Sequence, residues 1–299
     1  MFDVTGIGLN AIDYLCVVPR FPQPGEKLRM SAFTRQGGGQ VATALCALSR
    51  WGLSTAYCGN VGDDDHGRLS LSLLAAEGVY AAFARTVPGA VSQFAVILVD
   101  GRSGERTILW ERPAALRIRP EDLPVDAIRS SRAVLLDGHD VEASIAAARV
   151  ARAAGVPVVL DAEKVQEGTG ELLRLADHIV AATGFPEGCL GADIPPEEAA
   201  REIFERFGPR TAVITLGDRG AVGFDGSETV RSPAVPVRAV DTTGAGDIFH
   251  AGFLYGLLSG MTFRGILAFA NAAASLSCRG LGGRGNIPSR EEIGRTLGA

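Results

Sequence analysis

The sequence has few cysteines and histidines, and neither kind of residue shows the spacing of a metal or disulfide site. The five cysteines stand singly, without a CxxC pair, at positions 16, 46, 58, 189 and 278. An odd and dispersed set of thiols is typical of a reduced, cytosolic protein. The four histidines form no HExxH motif and no paired His/Cys ligand spacing, so we interpret each of them as structural.

Strong charge and long apolar runs are also absent. With 34 acidic and 29 basic residues the formal net charge is −5, and no Lys/Arg run is long enough to neutralise a phosphate backbone. The N-terminus has no basic segment before an apolar stretch, and no uncharged apolar run reaches bilayer-spanning length. We therefore expect a cytoplasmic protein with no nucleic-acid partner and no membrane partner.

Two common nucleotide-binding motifs are missing or incomplete. No GxxxxGK[ST] sequence occurs, which excludes a Walker loop. Gly6 and Gly8 follow an apolar segment and match half of a dinucleotide fingerprint, but that fingerprint has to open a helix. Here prolines and a glycine follow between positions 19 and 25 instead. A dinucleotide-dependent oxidoreductase is therefore an alternative for which we expect no NAD binding.

The most informative stretch runs from Val240 to Tyr255, where a turn of small residues opens an apolar helix. The first N–H groups of a helix have no internal partners and carry the positive end of the helix dipole. Gly244, Ala245 and Gly246 would offer such groups to an anion, with the carboxylate of Asp247 beside them. A carboxylate there can accept the proton of an attacking alcohol in phosphoryl transfer.

The string from Asp241 to Asp247, DTTGAGD, resembles the C-terminal signature of the ribokinase-like (PfkB) carbohydrate kinases. The resemblance implies that Gly244, Ala245 and Gly246 form an anion hole for the transferred phosphate and that Asp247 is the catalytic base. The alternative interpretation is structural: the glycines only tighten the turn, and Asp247 is an acid favoured by the helix dipole.

A glycine run at residues 37–39 precedes Gln40 and opens a second helix, with Gly52 just past its end. The run resembles the N-terminal signature of the same family, in which a glycine pair and nearby polar side chains hold the sugar hydroxyls. Ala42 stands where many members have an asparagine, so we expect Gln40 to substitute for it. The substrate-contact candidates are Asn10, Asp13, Gly38, Gly39, Gln40, Lys27, Trp110 and Arg112, with Lys27 and Arg112 meeting an anionic substituent.

The chain is at the upper end of the length of one domain, and we expect residues 1–299 to form a single α/β domain. From Ala133 onward strands alternate with helices, which predicts a central, mostly parallel sheet flanked by helices with ligands beyond the strand carboxyl ends. Extended segments at about 14–36 and 92–112 predict a separate small sheet. By resemblance this sheet is a lid over the sugar and pairs two subunits into a homodimer.

The residues that contact the nucleotide are also inferred from the resemblance to the family. The segment from Thr215 to Gly220 is similar to the TxGxxG nucleotide loop of the family, which implies that Thr215, Gly217 and Gly220 contact ATP. An ordinary turn is the alternative. Asn271 interrupts an apolar helix that resembles the one bordering the adenine in family members.

Two metal ions are expected. Mg²⁺ accompanies ATP and neutralises its charge in phosphoryl transfer. Glu187 retains only the acid of the family's Asn-x-x-Glu motif, and it is the candidate protein group for Mg²⁺. By resemblance, carbonyl groups of Asp241 and Thr243 hold K⁺ together with the glycine-rich residues 280–285.

These patterns predict an ATP-dependent kinase that acts on a hydroxyl of a sugar. The segments GGGQVATA and GGRGNIP resemble the ketose-phosphorylating branch of the family. A ketose such as fructose, or a derivative of one, is therefore the first candidate substrate, and ribose is the second. A nucleoside or keto-deoxy acid kinase of the same fold is the alternative. A non-catalytic sugar or nucleotide sensor is the alternative from another class.

Overall fold

The computed structural model describes residues 1–298. Its strands are β1 (Val4–Ile7), β2 (Ala11–Val18), β3 (Ala32–Gly38), β4 (Thr55–Gly62), β5 (Tyr80–Val87), β6 (Phe94–Asp100), β7 (Arg106–Glu111), β8 (Ala133–Leu136), β9 (Val158–Ala162), β10 (His178–Ala182), β11 (Thr211–Thr215), β12 (Ala221–Phe224) and β13 (Thr229–Ser232).

The helices are α1 (Gln40–Arg50), α2 (Asp65–Ala76), α3 (Val125–Ser130), α4 (Val141–Ala153), α5 (Thr169–Leu175), α6 (Phe185–Leu190), α7 (Pro196–Phe207), α8 (Ala245–Leu258), α9 (Phe263–Ser277) and α10 (Arg290–Leu297). Short 3₁₀ turns lie at Ala114–Leu116, Pro120–Asp122 and Gly217–Arg219. Within residues 1–298, no helix combines the length and the apolar character needed to cross a membrane.

The larger sheet has nine strands in the order β13-β12-β11-β10-β9-β8-β1-β4-β5. All neighbours run parallel except β12 and β13, which are antiparallel to their neighbours. Successive side chains point to opposite faces: Leu135 packs with α1, α8 and α9, whereas Val134 and Leu136 pack with α4, α5 and α7. Parallel strands buried on both faces need such continuous apolar runs. The predicted α/β architecture is confirmed.

The smaller sheet has four strands in the order β3-β2-β6-β7. Strand β2 pairs antiparallel with β3 and parallel with β6, and β6 pairs antiparallel with β7. Leu15, Ala95, Ile97 and Val99 form a small core on the sheet face that looks toward the large sheet. The second sheet is thus present where the sequence predicts it, and its role as a lid stays a prediction.

Several elements differ from the sequence-based expectations. Strands β5 and β13 were not predicted because they are edge strands, and a half-exposed edge lacks a continuous apolar run. The glycine run was assigned to the helix start, but Gly37 and Gly38 belong to β3. A Cβ atom at Gly37 would overlap the guanidinium of Arg284, and one at Gly38 would overlap the carboxyl of Asp13. These glycines therefore make room for neighbouring side chains.

Helices α8 and α9 pack closely because small residues face each other at their contact. A Cβ atom at Gly252 would lie 2.6 Å from Cα of Ala270, and one at Gly256 would lie 3.2 Å from Cα of Ile266. A contact of 2.6 Å is shorter than real Cβ atoms show, and 3.2 Å is tighter than most of them. The backbone of a packed helix cannot yield without moving the core. Helix α8 begins directly after the Gly244 cap, so this contact also fixes the position of the turn that precedes the helix.

We predict that Gly252→Ala destabilises the protein by about 1–3 kcal/mol, the usual cost of overpacking, although alanine favours helix formation. Urea denaturation measures the effect. Gly294→Ala on α10 is the matched control, since open space surrounds that position, and it should be neutral or stabilising by up to about 1 kcal/mol. Equal effects of the two substitutions would contradict the packing argument.

Candidate active site

A cavity of about 1170 Å³ lies between the carboxyl ends of the large-sheet strands, the start of α8 and the inner face of the small sheet. This is where ligands gather in open parallel sheets. The segments at the strand ends contribute Leu9, His139, Asp161, Glu163, Lys164, Thr183 and Gly217. The small sheet contributes Asp13, Ala95, Ile97, Arg106, Ile108 and Trp110.

The start of α8 presents N–H groups without protein acceptors in residues 1–298 at the positive end of the helix dipole. Gly244 caps the helix with a φ of 76°, in the left-handed region, and a Cβ atom there would overlap Gly283. In the part of the chain that the structure describes, the N–H groups of Gly246 and Asp247 donate to no protein acceptor. These N–H groups form the positive end of the helix dipole, and their residues line the cavity. They are therefore available to a bound phosphate.

Asp247 lines the cavity and belongs to the same first turn of α8 as these N–H groups. Burial raises its pKa well above the usual range, and the neighbouring carboxyl of Asp161 raises the pKa further. His250 and Arg106 act in the opposite direction. A carboxylate with a raised pKa is a stronger base, so Asp247 has the position and the chemistry to take a proton from a hydroxyl group.

Gln40 and Asp13 also line the cavity with polar groups. The amide oxygen of Gln40 lies 2.7 Å from Nε2 of His139, and its amide nitrogen donates to Oδ2 of Asp161 at 3.2 Å and to Oε2 of Glu163 at 3.3 Å. Burial raises the pKa of Asp13 to about 6, against the lowering charge of Arg284. These groups form a wall suited to a ligand with several hydroxyl groups.

Arg284 lies behind this wall and is buried. Its Nη2 donates to the carbonyl of Gly38 at 2.5 Å and to Oδ1 of Asn10 at 3.3 Å, and its Nε donates to Oγ1 of Thr43 at 3.4 Å. Among the described residues, Nη1 of Arg284 and Nδ2 of Asn10 have no partner. The buried guanidinium thus supports the residues behind Gly39 and Gln40 and supplies positive charge near Asp13.

The other end of the cavity contains the candidate nucleotide contacts Thr215, Gly217, Gly220 and Asn271. A Cβ atom at Gly220 would overlap the carbonyl of Ser232, and the Asn271 side chain donates to the same carbonyl at 2.9 Å. The loop after β11 and helix α9 are therefore held together at this end. The arrangement leaves backbone groups of the glycines facing the cavity.

The structure gathers most of the predicted residues in one cavity. Those in its lining are Asp13, Gly39, Gln40, Trp110, Arg112, Thr215, Gly217, Gly220, Thr243, Gly244, Ala245, Gly246, Asp247 and Asn271. Asn10 and Gly38 lie behind the lining and contact Arg284. Lys27 is exposed between β2 and β3, and Glu187 is exposed on α6, so neither reaches the cavity.

Asp241 is buried next to the cavity, and both oxygens of its carboxylate accept hydrogen bonds from the protein. Its Oδ1 accepts from the N–H and the hydroxyl of Thr243, at 2.9 and 2.7 Å, and its Oδ2 accepts from the N–H of Gly282 at 2.7 Å. The carboxylate thereby joins the turn before α8 to the C-terminal glycine segment.

Several cavity residues were not among the predicted set: Arg106, His139, Asp161, Glu163, Lys164 and His250. For four of them, His139, Asp161, Glu163 and Lys164, the available signal was position, since polar residues at or just after the apolar strands β8 and β9 have to lie at the carboxyl edge of the sheet. Arg106 in β7 and His250 in α8 gave no such signal. In the sequence, Arg284 is only a basic residue within a glycine-rich segment, and nothing in that pattern indicates that its side chain is buried.

The strand ends of a mostly parallel sheet face a buried acid and a helix start whose N–H groups are free in the described chain. This arrangement is typical of a small-molecule phosphotransferase. Residues 1–290 match the model of the pfkB family carbohydrate kinases, and the chain belongs to that family. It is an ATP-dependent carbohydrate kinase, and the family uses ATP with Mg²⁺.

Similar proteins extend over nearly the whole chain. The ribokinase of Haemophilus influenzae is 29% identical over 300 residues, covering 97% of this chain and 96% of the relative. The ribokinase of Bacillus subtilis is also 29% identical, covering 99% of this chain and 100% of the relative. The structure of Arabidopsis thaliana ribokinase complexed with ribose and ATP aligns with a TM-score of 0.81 at 25% identity, covering 99% and 98% of the two chains.

The raised pKa of Asp13 makes stability depend on pH. Protonated Asp13 is favoured in the folded state. Its contribution to the free energy of unfolding is complete below the ordinary pKa of 3.8 and is lost as pH rises through about 6. We predict that Asp13→Asn is more stable than the wild type by about 1–3 kcal/mol near pH 7.5, with no advantage near pH 4. Chemical denaturation at both pH values measures the difference.

The matched control for this prediction is Asp126→Asn, which changes an exposed carboxylate on α3. It should show no such dependence on pH. A stability difference for Asp13→Asn that stays constant from acid to neutral pH would contradict the electrostatic explanation.

Proposed function

We propose that this kinase transfers the γ-phosphoryl group of ATP to a hydroxyl of a small sugar, with Asp247 as general base. The observation that carries the proposal is the placement of the Asp247 carboxyl beside two helix-start N–H groups that have no protein acceptor in the described chain. The base and the anion site are thus adjacent, as an in-line transfer from ATP to a hydroxyl requires.

In this mechanism the sugar hydroxyl donates its proton to Asp247 as its oxygen attacks the γ-phosphorus. The N–H groups of the Gly244–Asp247 turn stabilise the charge on the transferring group, and they are oriented before the reaction begins. Arg106 lies near this turn, since its Nη1 donates to Oγ1 of Thr242 at 2.6 Å. The small sheet acts as a lid that excludes water and so prevents hydrolysis of ATP.

The proposed sugar contacts are Asp13, Gly39 and Gln40, with Asn10 and Gly38 shaping the wall behind them. Arg112 belongs to the lining, but its Nη2 lies 2.5 Å from Oδ2 of the buried Asp140, so that its charge is already compensated. With Lys27 outside the cavity, neither cation predicted to meet an anionic substituent is available to do so, which favours a sugar without a phosphate or carboxylate. Of the other cationic residues in the lining, Arg106 contacts Thr242 before α8 and Lys164 lies over the Trp110 ring.

Two sugars are proposed, a ketose such as fructose and ribose. The ketose is supported by the resemblance of residues 37–44 and 282–288 to ketose-phosphorylating members of the family. Ribose is supported by the ribokinases among the relatives. A nucleoside is a second candidate, because Trp110 offers an aromatic surface in the cavity and a nucleoside kinase of Methanothermobacter thermautotrophicus is 26% identical over 296 residues.

Thr215, Gly217, Gly220 and Asn271 would hold ATP at the other end of the cavity. No group of three acidic, His or Cys side chains within residues 1–298 is arranged to hold a metal ion, and Glu187 lies outside the cavity. Mg²⁺ therefore fits as a partner of the ATP phosphates, whose charge it neutralises.

The residues around the turn before α8 fit a monovalent cation. The backbone carbonyls of Asp241 and Thr243 accept no hydrogen bond from the residues that the structure describes. Such carbonyls would hold K⁺ and keep the turn in its anion-binding conformation. The Asp241 carboxylate is already held by Thr243 and Gly282.

Substrate identity is tested by ATP consumption with fructose, other ketoses, ribose, nucleosides, keto-deoxy acids and phosphosugars, with Mg²⁺ and with or without K⁺. We expect turnover with fructose or ribose and stimulation by K⁺. A clear preference for a phosphosugar or a keto-deoxy acid would refute the proposed uncharged substrate.

We predict that Asp247→Asn lowers kcat by about 10²–10⁴-fold, the usual contribution of a general base, because the amide cannot accept the hydroxyl proton. ATP affinity, measured by calorimetry, should change by less than about threefold, because the substitution removes an interaction of the transition state and leaves the contacts that bind ATP. Asp193→Asn at an exposed position is the control. Unchanged turnover of Asp247→Asn would exclude this residue as the base.

The outer face of the small sheet is proposed to join two subunits into a homodimer. Phe33 and Leu109 are the most exposed apolar residues of this face, at 56% and 59% exposure, and half-buried Tyr14 and Val96 lie beside them. An apolar surface on a sheet is a typical subunit contact. Two paired lids would then close over two separate cavities.

We predict that Leu109→Glu converts the dimer into a monomer, because a carboxylate would be buried without a partner in the interface. Sedimentation velocity at micromolar protein concentration measures the change. Leu297→Glu, at an exposed apolar position of α10, should leave the assembly state unchanged. A monomeric wild type, or a dimer that persists in Leu109→Glu, would reject this interface.

A further inference from the structure

Arg284 is a buried cation whose hydrogen-bond acceptors are all uncharged. The residue is 6% exposed, and its guanidinium donates to the carbonyl of Gly38, to Oδ1 of Asn10 and to Oγ1 of Thr43. Within residues 1–298, no carboxylate oxygen lies within 4.0 Å of its nitrogens, and Nη1 has no partner. A buried charge is costly unless an opposite charge compensates it. The compensating charge therefore has to lie farther away than in a direct ion pair.

The carboxyl group of Asp13 lies on the other side of a thin layer of backbone. A Cβ atom at Gly37 would overlap Nη1 of Arg284, and a Cβ atom at Gly38 would overlap the carboxyl of Asp13. Both glycines belong to β3, and successive Cβ positions of a strand point to opposite faces. The two glycines therefore separate the cation from the acid by backbone alone, and the opposite charges approach each other without a direct ion pair.

Asp13 has the features of a ligand-binding acid. It is buried and lines the cavity, and none of the described protein groups donates a hydrogen bond to its carboxyl oxygens. Burial raises its pKa to about 6, the charge of Arg284 acts in the opposite direction, and Asp241 raises the pKa further. Asp13 in turn raises the pKa of Asp247 on α8. Three acids thus face this side of the cavity, and Arg284 is a cation that favours the ionised form of Asp13.

We propose that Arg284 is a positioning residue for substrate binding, which acts on the carboxylate of Asp13 from behind the two glycines. Its charge stabilises the ionised carboxylate, and both oxygens stay free to accept hydrogen bonds from two hydroxyl groups of the sugar. A direct ion pair would occupy these oxygens, because a guanidinium binds a carboxylate through two parallel N–H groups. This inference rests on the proposed function, in which Asp13 contacts the sugar.

The hydrogen bonds of the guanidinium also hold three segments around the sugar site. Gly38 ends β3, Asn10 directly precedes β2, and Thr43 lies near the start of α1. Gly39 and Gln40 follow Gly38 in the chain and line the cavity. A neutral side chain at position 284 could retain part of these hydrogen bonds but not the charge. The two contributions can therefore be separated by experiment.

Substitutions that separate charge from hydrogen bonding test the proposal with fructose or ribose, whichever is turned over. Arg284→Gln keeps an amide donor and loses the charge, so the KM for the sugar should rise by about tenfold or more, the range for a lost interaction with a charged group. The kcat value and the KM for ATP should stay within about threefold. Arg284→Lys keeps the charge, and its KM for the sugar should lie at least about threefold below that of Arg284→Gln.

The matched control is Arg129→Gln, which removes an exposed cation from α3 and should leave all three constants unchanged. A loss of kcat at an unchanged KM for the sugar would show that Arg284 acts on another step. Equal KM values for the sugar in Arg284→Gln and Arg284→Lys would show that the charge is not used. Either result would overturn the proposal.

A double-mutant cycle in urea tests the coupling without any substrate. Near pH 7.5, Arg284→Gln should lower the urea midpoint of the wild type more than that of Asp13→Asn, because the second protein has no carboxylate for the cation to compensate. Folding of Arg284→Gln only in combination with Asp13→Asn would show the same coupling in its extreme form. Equal shifts in both backgrounds, or failure of Arg284→Gln to fold in either, would reject the proposal.

The outcomes distinguish this inference from the proposed function. Absence of turnover with every sugar would refute the proposed function, whereas the urea cycle would still decide whether Arg284 and Asp13 are coupled. Turnover of fructose or ribose together with equal urea shifts would support the kinase function and reject the role of Arg284.

Discussion

The cost of burying several carboxyl groups around one cavity governs the architecture of the site. A buried carboxylate is expensive unless a charge or a set of donors compensates it. Here each buried acid has a different solution: Arg284 lies near Asp13, Arg112 pairs with Asp140, and the start of α8 lies beside Asp247. These partners come from the middle and the C-terminal part of the chain, whereas Asp13 comes from its N-terminal part, so the site forms only when distant segments fold together.

Close approach of backbone segments is the second requirement, and glycine meets it in particular places. Gly244 packs against Gly283, which brings the anion-binding turn against the C-terminal segment. Gly37 and Gly38 leave space for Arg284 and Asp13, so that a charged side chain can lie beneath a strand. A larger residue at any of these positions would separate groups that have to act within a few ångströms of one another.

Sequence patterns predicted the features that are local. The turn from Gly244 to Asp247 was identified because its residues are consecutive, and the strand–helix alternation after Ala133 predicted the sheet that presents them. Contacts between distant segments were not predicted: nothing in the sequence joins Asp161 to His250, or Arg284 to Gly38. Edge strands such as β5 were missed because exposure on one face removes the apolar run that marks buried strands.

The C-terminal glycine segment has a consequence for how much of the chain has to fold before the site is complete. Leu281 accepts a hydrogen bond from Gln36, Gly282 donates to Asp241, and Arg284 holds Gly38, so residues 281–285 connect the substrate wall to the anion-binding turn. Every strand of both sheets precedes this segment in the chain, so a chain that lacks residues 281–285 would have all of its strands and still lack these three contacts. A competent site therefore requires the cooperative folding of the whole described chain, and not of its sheets alone.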